Sequence, residues 1–119
     1  MWMPIEKLQD NAGPASVLLK AMSNKHRLMI LCKLVGRERC VNELEGLIGL
    51  SQSALSQHLA RLRRDCLVKT RRSAQTIFYS LAGGEAQTVL DALCQIYGET
   101  APLLPYAANT EFRKNAAIS

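Results

Sequence analysis

The stretch CVNELEGLIGLSQSALSQHLARLRR, residues 40–64, decides the fold. Val41, Leu44, Leu47 and Ile48 recur at helical spacing, Gly49 supplies a residue that takes positive φ where a helix ends, and Ser51 is a capping residue for a second helix. This punctuation predicts helix, tight turn, helix. In the second helix Leu55, Leu59 and Leu62 fall on one apolar stripe. A rotation of about 100° per residue then places Ser53, Gln57, Ala60 and Arg64 on the opposite side, flanked by Ser56 and Arg61. Ser and Gln donate and accept hydrogen bonds at base edges and phosphates, and the small Ala60 lets the backbone approach a groove closely. The face is expected to meet double-stranded DNA. The plainer alternative is an ordinary solvated helix surface.

The distribution of charge favours DNA. The net charge of the 119 residues is +5. Residues 1–50 carry seven Lys or Arg against five acids, and residues 81–119 carry two against four, so those segments cancel. Residues 51–80 carry six basic side chains, Arg61, Arg63, Arg64, Lys69, Arg71 and Arg72, against Asp65 alone. The excess therefore sits in the second helix of the pair and the segment behind it, where it can neutralise phosphates and release their counterions.

Outward from this centre, residues 1–10 have no sustained apolar period and are read as a loose lead-in. A helix is expected over Ala12–Met22, with Pro14 in its first turn and Val17, Leu18 and Ala21 as a narrow stripe, and Ser23 or Asn24 recaps the chain. Residues 25–35 place Leu28, Leu31, Cys32 and Val35 at i, i+3, i+4 and i+7, which predicts a buried helix closed by Gly36. Beyond the central pair, LVKTRRSAQTIFYSL (residues 67–81) reads as a β-hairpin. Ile77, Tyr79 and Leu81 alternate with Thr76, Phe78 and Ser80, and Ser73-Ala74-Gln75 with Arg71 and Arg72 form a polar, basic tip. A basic hairpin directly behind such a helix is a wing. Glu85–Tyr97 is a last helix carrying Leu90, Leu93, Cys94 and Tyr97 on one stripe. From Glu99 onward Pro102 and Pro105 prevent a continuous helix, leaving at most a short one over 107–117. The first and last helices have little left to cover within so small a domain, which points to a homodimer formed through them. The expected architecture is mainly α, a winged helix-turn-helix of about five helices with a two-stranded wing, over residues 1–98, with a tail over 99–119.

Composition narrows the alternatives. An apolar fraction of 48% suits one small domain with a modest core. No apolar run approaches the length of a membrane span, and the start MWMPIEKLQD lacks the features of a signal peptide, so a cytoplasmic chain with no membrane contact is expected. Four scattered cysteines, Cys32, Cys40, Cys66 and Cys94, argue for reduced thiols rather than a disulfide framework. No catalytic constellation accompanies them: the two histidines, His26 and His58, are remote in sequence from every cysteine, so a thiol enzyme is disfavoured. No cofactor is expected.

The order of these elements, and above all SQSALSQHLARLRRDCLVKTRRSAQTIFYSL, resembles the ArsR/SmtB family of dimeric winged-helix repressors over residues 15–98. The resemblance implies a homodimer that occupies a DNA operator and leaves it when an inducer binds or a thiol is modified. It places Gln52, Ser53, Ser56, Gln57 and His58 at the DNA, beside Arg61, Arg64, Arg71 and Arg72 from the charge pattern. His58 lies about 60° off the leucine stripe, where packing or a phosphate contact competes equally with reading a base. Metal-sensing members use a Cys-x-Cys ahead of the turn. Cys40 matches its first thiol, but Asn42 stands at the second, and residues 85–98 hold no histidine, so no metal site is expected. The branch that senses reactive sulfur or oxidants uses two cysteines. Cys32 matches the first, whereas Gly98 stands where the second is expected and Cys94 lies one turn earlier, about 6 Å along a helix. Cys32 and Cys94 are the candidate sensing thiols, and burial of both as plain core residues is the competing reading. Cys66 replaces a glycine that the family commonly has where the recognition helix ends. A metal-responsive or a thiol-insensitive regulator remains the alternative.

Overall fold

The computed structural model describes residues 4–98. Trp2, the tail over 99–119 and its possible helix at 107–117 lie outside the described residues. Residues up to Ala86 form one compact unit, and those from Gln87 onward belong to a second.

In the first unit the order is α1 (Ile5–Asp10), α2 (Ala12–Met22), α3 (Lys25–Lys33), β1 (Arg39–Cys40), α4 (Val41–Ile48), α5 (Gln52–Arg64), β2 (Val68–Ser73) and β3 (Thr76–Leu81). The last helix, α6 (Glu85–Tyr97), starts at the end of this unit and runs on in the second. The expected winged helix-turn-helix is present, with two additions. The lead-in is not loose: residues 5–10 form α1, where the Pro4 carbonyl accepts from the N–H groups of Lys7 at 3.1 Å and Leu8 at 3.3 Å. Every residue of α1 is exposed, so no apolar period marks it in the sequence. The two-stranded hairpin of the wing, β2 and β3, also gains a third strand, because β1 adds to the outer side of β3 and gives the order β1-β3-β2, all antiparallel.

Local chemistry sets these boundaries. Asn24 caps α3, its side-chain oxygen accepting from His26 N–H at 2.9 Å and Arg27 N–H at 3.1 Å. Arg27 then reaches back and donates to the Ala21 carbonyl at 2.6 Å and the Lys20 carbonyl at 3.2 Å, satisfying the end of α2. Gly49, at φ 84°, ends α4, and the Ser51 hydroxyl accepts from Ala54 N–H at 3.2 Å to begin α5. The core of this unit is built on Ile30, Leu31, Leu34, Leu44, Leu55, Leu59 and Leu62, which seal α3, α4 and α5 together, with Leu67 and Val68 beneath the wing. Each such leucine contributes roughly 1.5–3 kcal/mol by leaving water.

On α3 the structure departs from the expected stripe. The buried face carries Ile30 and Leu31, with Leu34 just beyond, while Cys32 and Val35 are exposed and Leu28 is half-buried. The 28-31-32-35 stripe thus straddles the edge of the helix rather than its core face.

Candidate nucleic-acid interface

The apolar stripe of α5 behaves as its spacing predicts: Leu55, Leu59 and Leu62 are completely buried. That anchoring fixes the rotation of the helix. Gln52, Ser53, Ser56, Gln57, Ala60 and Arg64 are consequently exposed together on the side facing away from α3 and α4. Their amides and hydroxyls are presented from a helix held by its own buried leucines, which suits base reading.

The basic side chains differ in how far they are engaged. Arg61 donates from Nε to Asp65 Oδ2 at 3.2 Å, and Arg64 Nε lies 3.5 Å from Asp65 Oδ1. Burial alone pushes the Asp65 carboxyl up, but the hydrogen bonds and charges of the two arginines outweigh it and hold it below its ordinary value. In the wing Arg71 is paired with Glu38, whereas Arg72 is exposed and donates only to the Ala74 carbonyl at 3.2 Å. Among the described residues Arg63, Lys69 and Arg72 have no acidic partner. Arg63 is not singled out by the sequence pattern, yet it lines a shallow groove with Ser56, Ala60, Arg64 and Tyr79, between α5 and the wing.

His58 is half-buried at the edge of α5, its ring 5.8 Å from that of His26 on α3. Burial, then Arg27, then His26 lower its pKa, so the imidazole is neutral at pH 7. It borders a second depression with Arg27, Gln57, Arg61 and Arg64, which puts it beside the exposed face rather than on it.

The chain's similarity to known proteins can be set against this geometry. The model of the bacterial regulatory protein arsR family matches residues 24–70, from the cap of α3 into the wing. The transcriptional activator HlyU of Vibrio cholerae serotype O1 is 50% identical over 95 residues, covering 80% of this chain and 88% of that protein. The chain belongs to the arsR family of bacterial regulatory proteins. Like the other regulators of the arsR family it is a DNA-binding transcriptional regulator and not an enzyme. Reduced HlyU from Vibrio cholerae N16961 superposes with a TM-score of 0.73 at 50% identity, over 79% of this chain and 99% of that one. The transcriptional repressor BigR from Xylella fastidiosa superposes with a TM-score of 0.76 at 41% identity, over 79% and 96%. No helix among the described residues is long and apolar enough to cross a membrane.

For an arsR-family regulator the cysteines are the remaining chemistry. Cys32 on α3 and Cys94 on α6 are both exposed in the single chain, against the reading that both are buried. Within α6, Leu90 is buried and Leu93 half-buried, while Cys94 and Tyr97 are open to solvent. Cys40 is half-buried at the start of α4, where its N–H donates to the Glu43 carboxylate at 3.1 Å. Cys66 holds φ 62° directly behind α5. Leu67 N–H bonds the Leu62 carbonyl at 2.9 Å and Cys66 N–H bonds that of Arg63 at 3.0 Å, so the helix ends in the left-handed cap usual for glycine, with a cysteine in its place. Among the described residues no group of three His, Cys, Asp or Glu side chains comes together to hold a metal ion.

Proposed function

We propose that the chain is a homodimeric, sequence-specific repressor that leaves its operator when Cys32 and Cys94 are modified by reactive sulfur or an oxidant. Residues 1–98 act as the DNA-binding and dimerisation domain and residues 99–119 as a tail. Gln52, Ser53, Ser56 and Gln57 read bases, with His58, Arg61, Arg64 and, on the wing, Arg72 near the backbone, while Arg71 stands beside Arg72 in the wing paired with Glu38. The observation that carries the DNA-facing part is the exposed polar face of α5 opposite three fully buried leucines. Dimerisation through the first and last helices is supported by apolar side chains left open on them. Ile5, Leu8, Val17 and Leu19 on α1 and α2 are 45–60% exposed, and Tyr97 on α6 is 45% exposed.

The thiol switch is supported by the exposure of Cys32 and Cys94, which leaves both open to reagents. Linking them, directly or through a sulfur chain, removes two protons and two electrons, which the oxidant accepts. The link ties α6 to α3 and alters the spacing of the two recognition helices in the dimer, and a dimer binds tightly only when that spacing matches its half-sites. The test is operator binding before and after polysulfide and peroxide, for wild type, Cys32→Ser and Cys94→Ser, beside intact mass. Release of wild type alone supports the switch. Release with both thiols unmodified, or no release by any thiol reagent, defeats it. The sign of regulation has a second reading, since HlyU is described as an activator and BigR as a repressor. Transcription in vitro from the bound promoter decides between them.

A further inference from the structure

Glu38 lies between α3 and β1 and meets Arg71 across 33 positions of sequence. Arg71 Nε donates to Glu38 Oε2 at 3.1 Å, and its Nη2 donates to Oε1. One carboxylate therefore fills one edge of the guanidinium in the two-pronged geometry that arginine favours. The guanidinium carbon Cζ of Arg71 lies over the Phe78 ring, 4.7 Å from its centroid, and Phe78 is the cross-strand partner of Arg71. Phe78 in turn pairs with Cys40 of β1, which comes two residues after Glu38. This arginine is thus engaged within the protein both by a carboxylate and by an aromatic ring. The carboxyl of Glu38 is held below its ordinary value, first by its hydrogen bond from Arg71. Arg72, the next residue, meets no acid among the described residues.

We propose that Glu38 is a positioning residue for DNA binding: it withholds Arg71 from the phosphates and makes it a brace between the wing and the segment ahead of α4. This rests on the reading that the wing meets DNA. The electrostatics are simple. A phosphate that approaches Arg71 also approaches the carboxylate bound to it, and the pair presents no net charge. Counterion release counts phosphates neutralised, and each adds about 0.9 to the slope of log affinity against log salt. Arg72 contributes to that slope and Arg71 does not. Removing the charge of Glu38 frees the fork of Arg71 for one more phosphate.

The test is a salt titration of binding to a random-sequence duplex, between about 50 and 200 mM, where one contact changes the affinity ratio about 3.5-fold. Arg72→Gln is expected to lower the slope by about 0.9 and Arg71→Gln to leave it unchanged. Glu38→Gln is expected to raise it by about 0.9, and Glu38→Gln in the Arg71→Gln background to leave it at the wild-type value. Glu38 and Arg71 side chains are 39% and 55% exposed, so neither change opens the core, and a melting curve confirms the fold. A lower slope in Arg71→Gln shows Arg71 already on phosphate and overturns the proposal. So does an unchanged slope in Glu38→Gln, or an equal rise when Arg71 is absent. If Arg72→Gln leaves the slope unchanged, the wing is not at the DNA, and that reading falls together with the proposal.

Discussion

Gln57→Ala separates base reading from helix stability. Gln57 is exposed on α5 between Leu55 and Leu59, both completely buried, so its amide is presented by a helix whose rotation is already fixed. Truncation there leaves the core intact, and Ala is the better helix former, so the melting temperature is expected to hold or rise slightly. Leu59→Ala, two positions on, is expected to cost about 2–5 kcal/mol of stability, because it opens a cavity under the same helix. The amide of Gln57 can form two hydrogen bonds to one base edge, and loss of such a contact costs about 1–3 kcal/mol of discrimination. At about 1.4 kcal/mol per factor of ten, operator binding should weaken about 5- to 150-fold relative to a scrambled duplex. Fluorescence anisotropy measures both affinities, with the operator selected from a randomised pool and the salt held constant. Equal losses on operator and scrambled DNA would make Gln57 a backbone contact and refute the assignment.

The same geometry sets three further outcomes. Cys66 holds φ 62° with only a 3.9 Å contact from its sulfur to the Arg64 carbonyl. Cys66→Gly should therefore relieve strain and stabilise the fold by about 1 kcal/mol, raising the melting temperature by about 4–8 °C, and a lower melting temperature would mean the thiol has a packing role. Leu93→Glu on α6 should yield monomers by sedimentation, since it puts an unpaired charge at the proposed subunit contact, and an intact dimer would remove α6 from that contact. Glu43 is held below its ordinary pKa, first by the hydrogen bond from the Cys40 N–H. A carboxyl lowered by folding stabilises the protein above its unfolded pKa and loses that effect as pH falls through the folded value. Stability should therefore decline below about pH 4, and less steeply in Glu43→Gln, as read by denaturant melts across pH.

The helical frame was legible because its signals are local. Gly49 and Ser51 announce the turn by their own conformational preferences, and Leu55, Leu59 and Leu62 can share a buried face only on a helix. The wing was legible for a similar reason, as two short runs joined by a polar tip, which closes with Ser73 opposite Thr76. What escaped were elements without a local period. β1 is two residues long and exists because Arg39 and Cys40 find Tyr79 and Phe78, some 40 positions away along the chain. α1 buries nothing and so leaves no apolar pattern. The stripe on α3 misled in the opposite way, since Leu28, Leu31, Cys32 and Val35 share a helical spacing while Ile30 and Leu31 face the core.

The same distinction between local and distant signals governs the DNA-facing charges. Counting residues placed the whole excess of +5 in positions 51–80, and that sum is sound. It does not say which cations remain available to a phosphate. Asp65 lies within the segment, and its position four residues after Arg61 and next to Arg64 foreshadows the pairing that the structure shows. Glu38 lies 33 positions before Arg71, outside the segment that carries the excess, and reaches the wing only because β1 is stitched to β3. A charge map drawn along the chain thus treats Arg71 and Arg72 as equals, whereas the folded chain gives one an acid and an aromatic ring and leaves the other to solvent. If the wing meets DNA as proposed, phosphate binding follows that difference, because counterion release responds to the cations that can reach the duplex and not to the total.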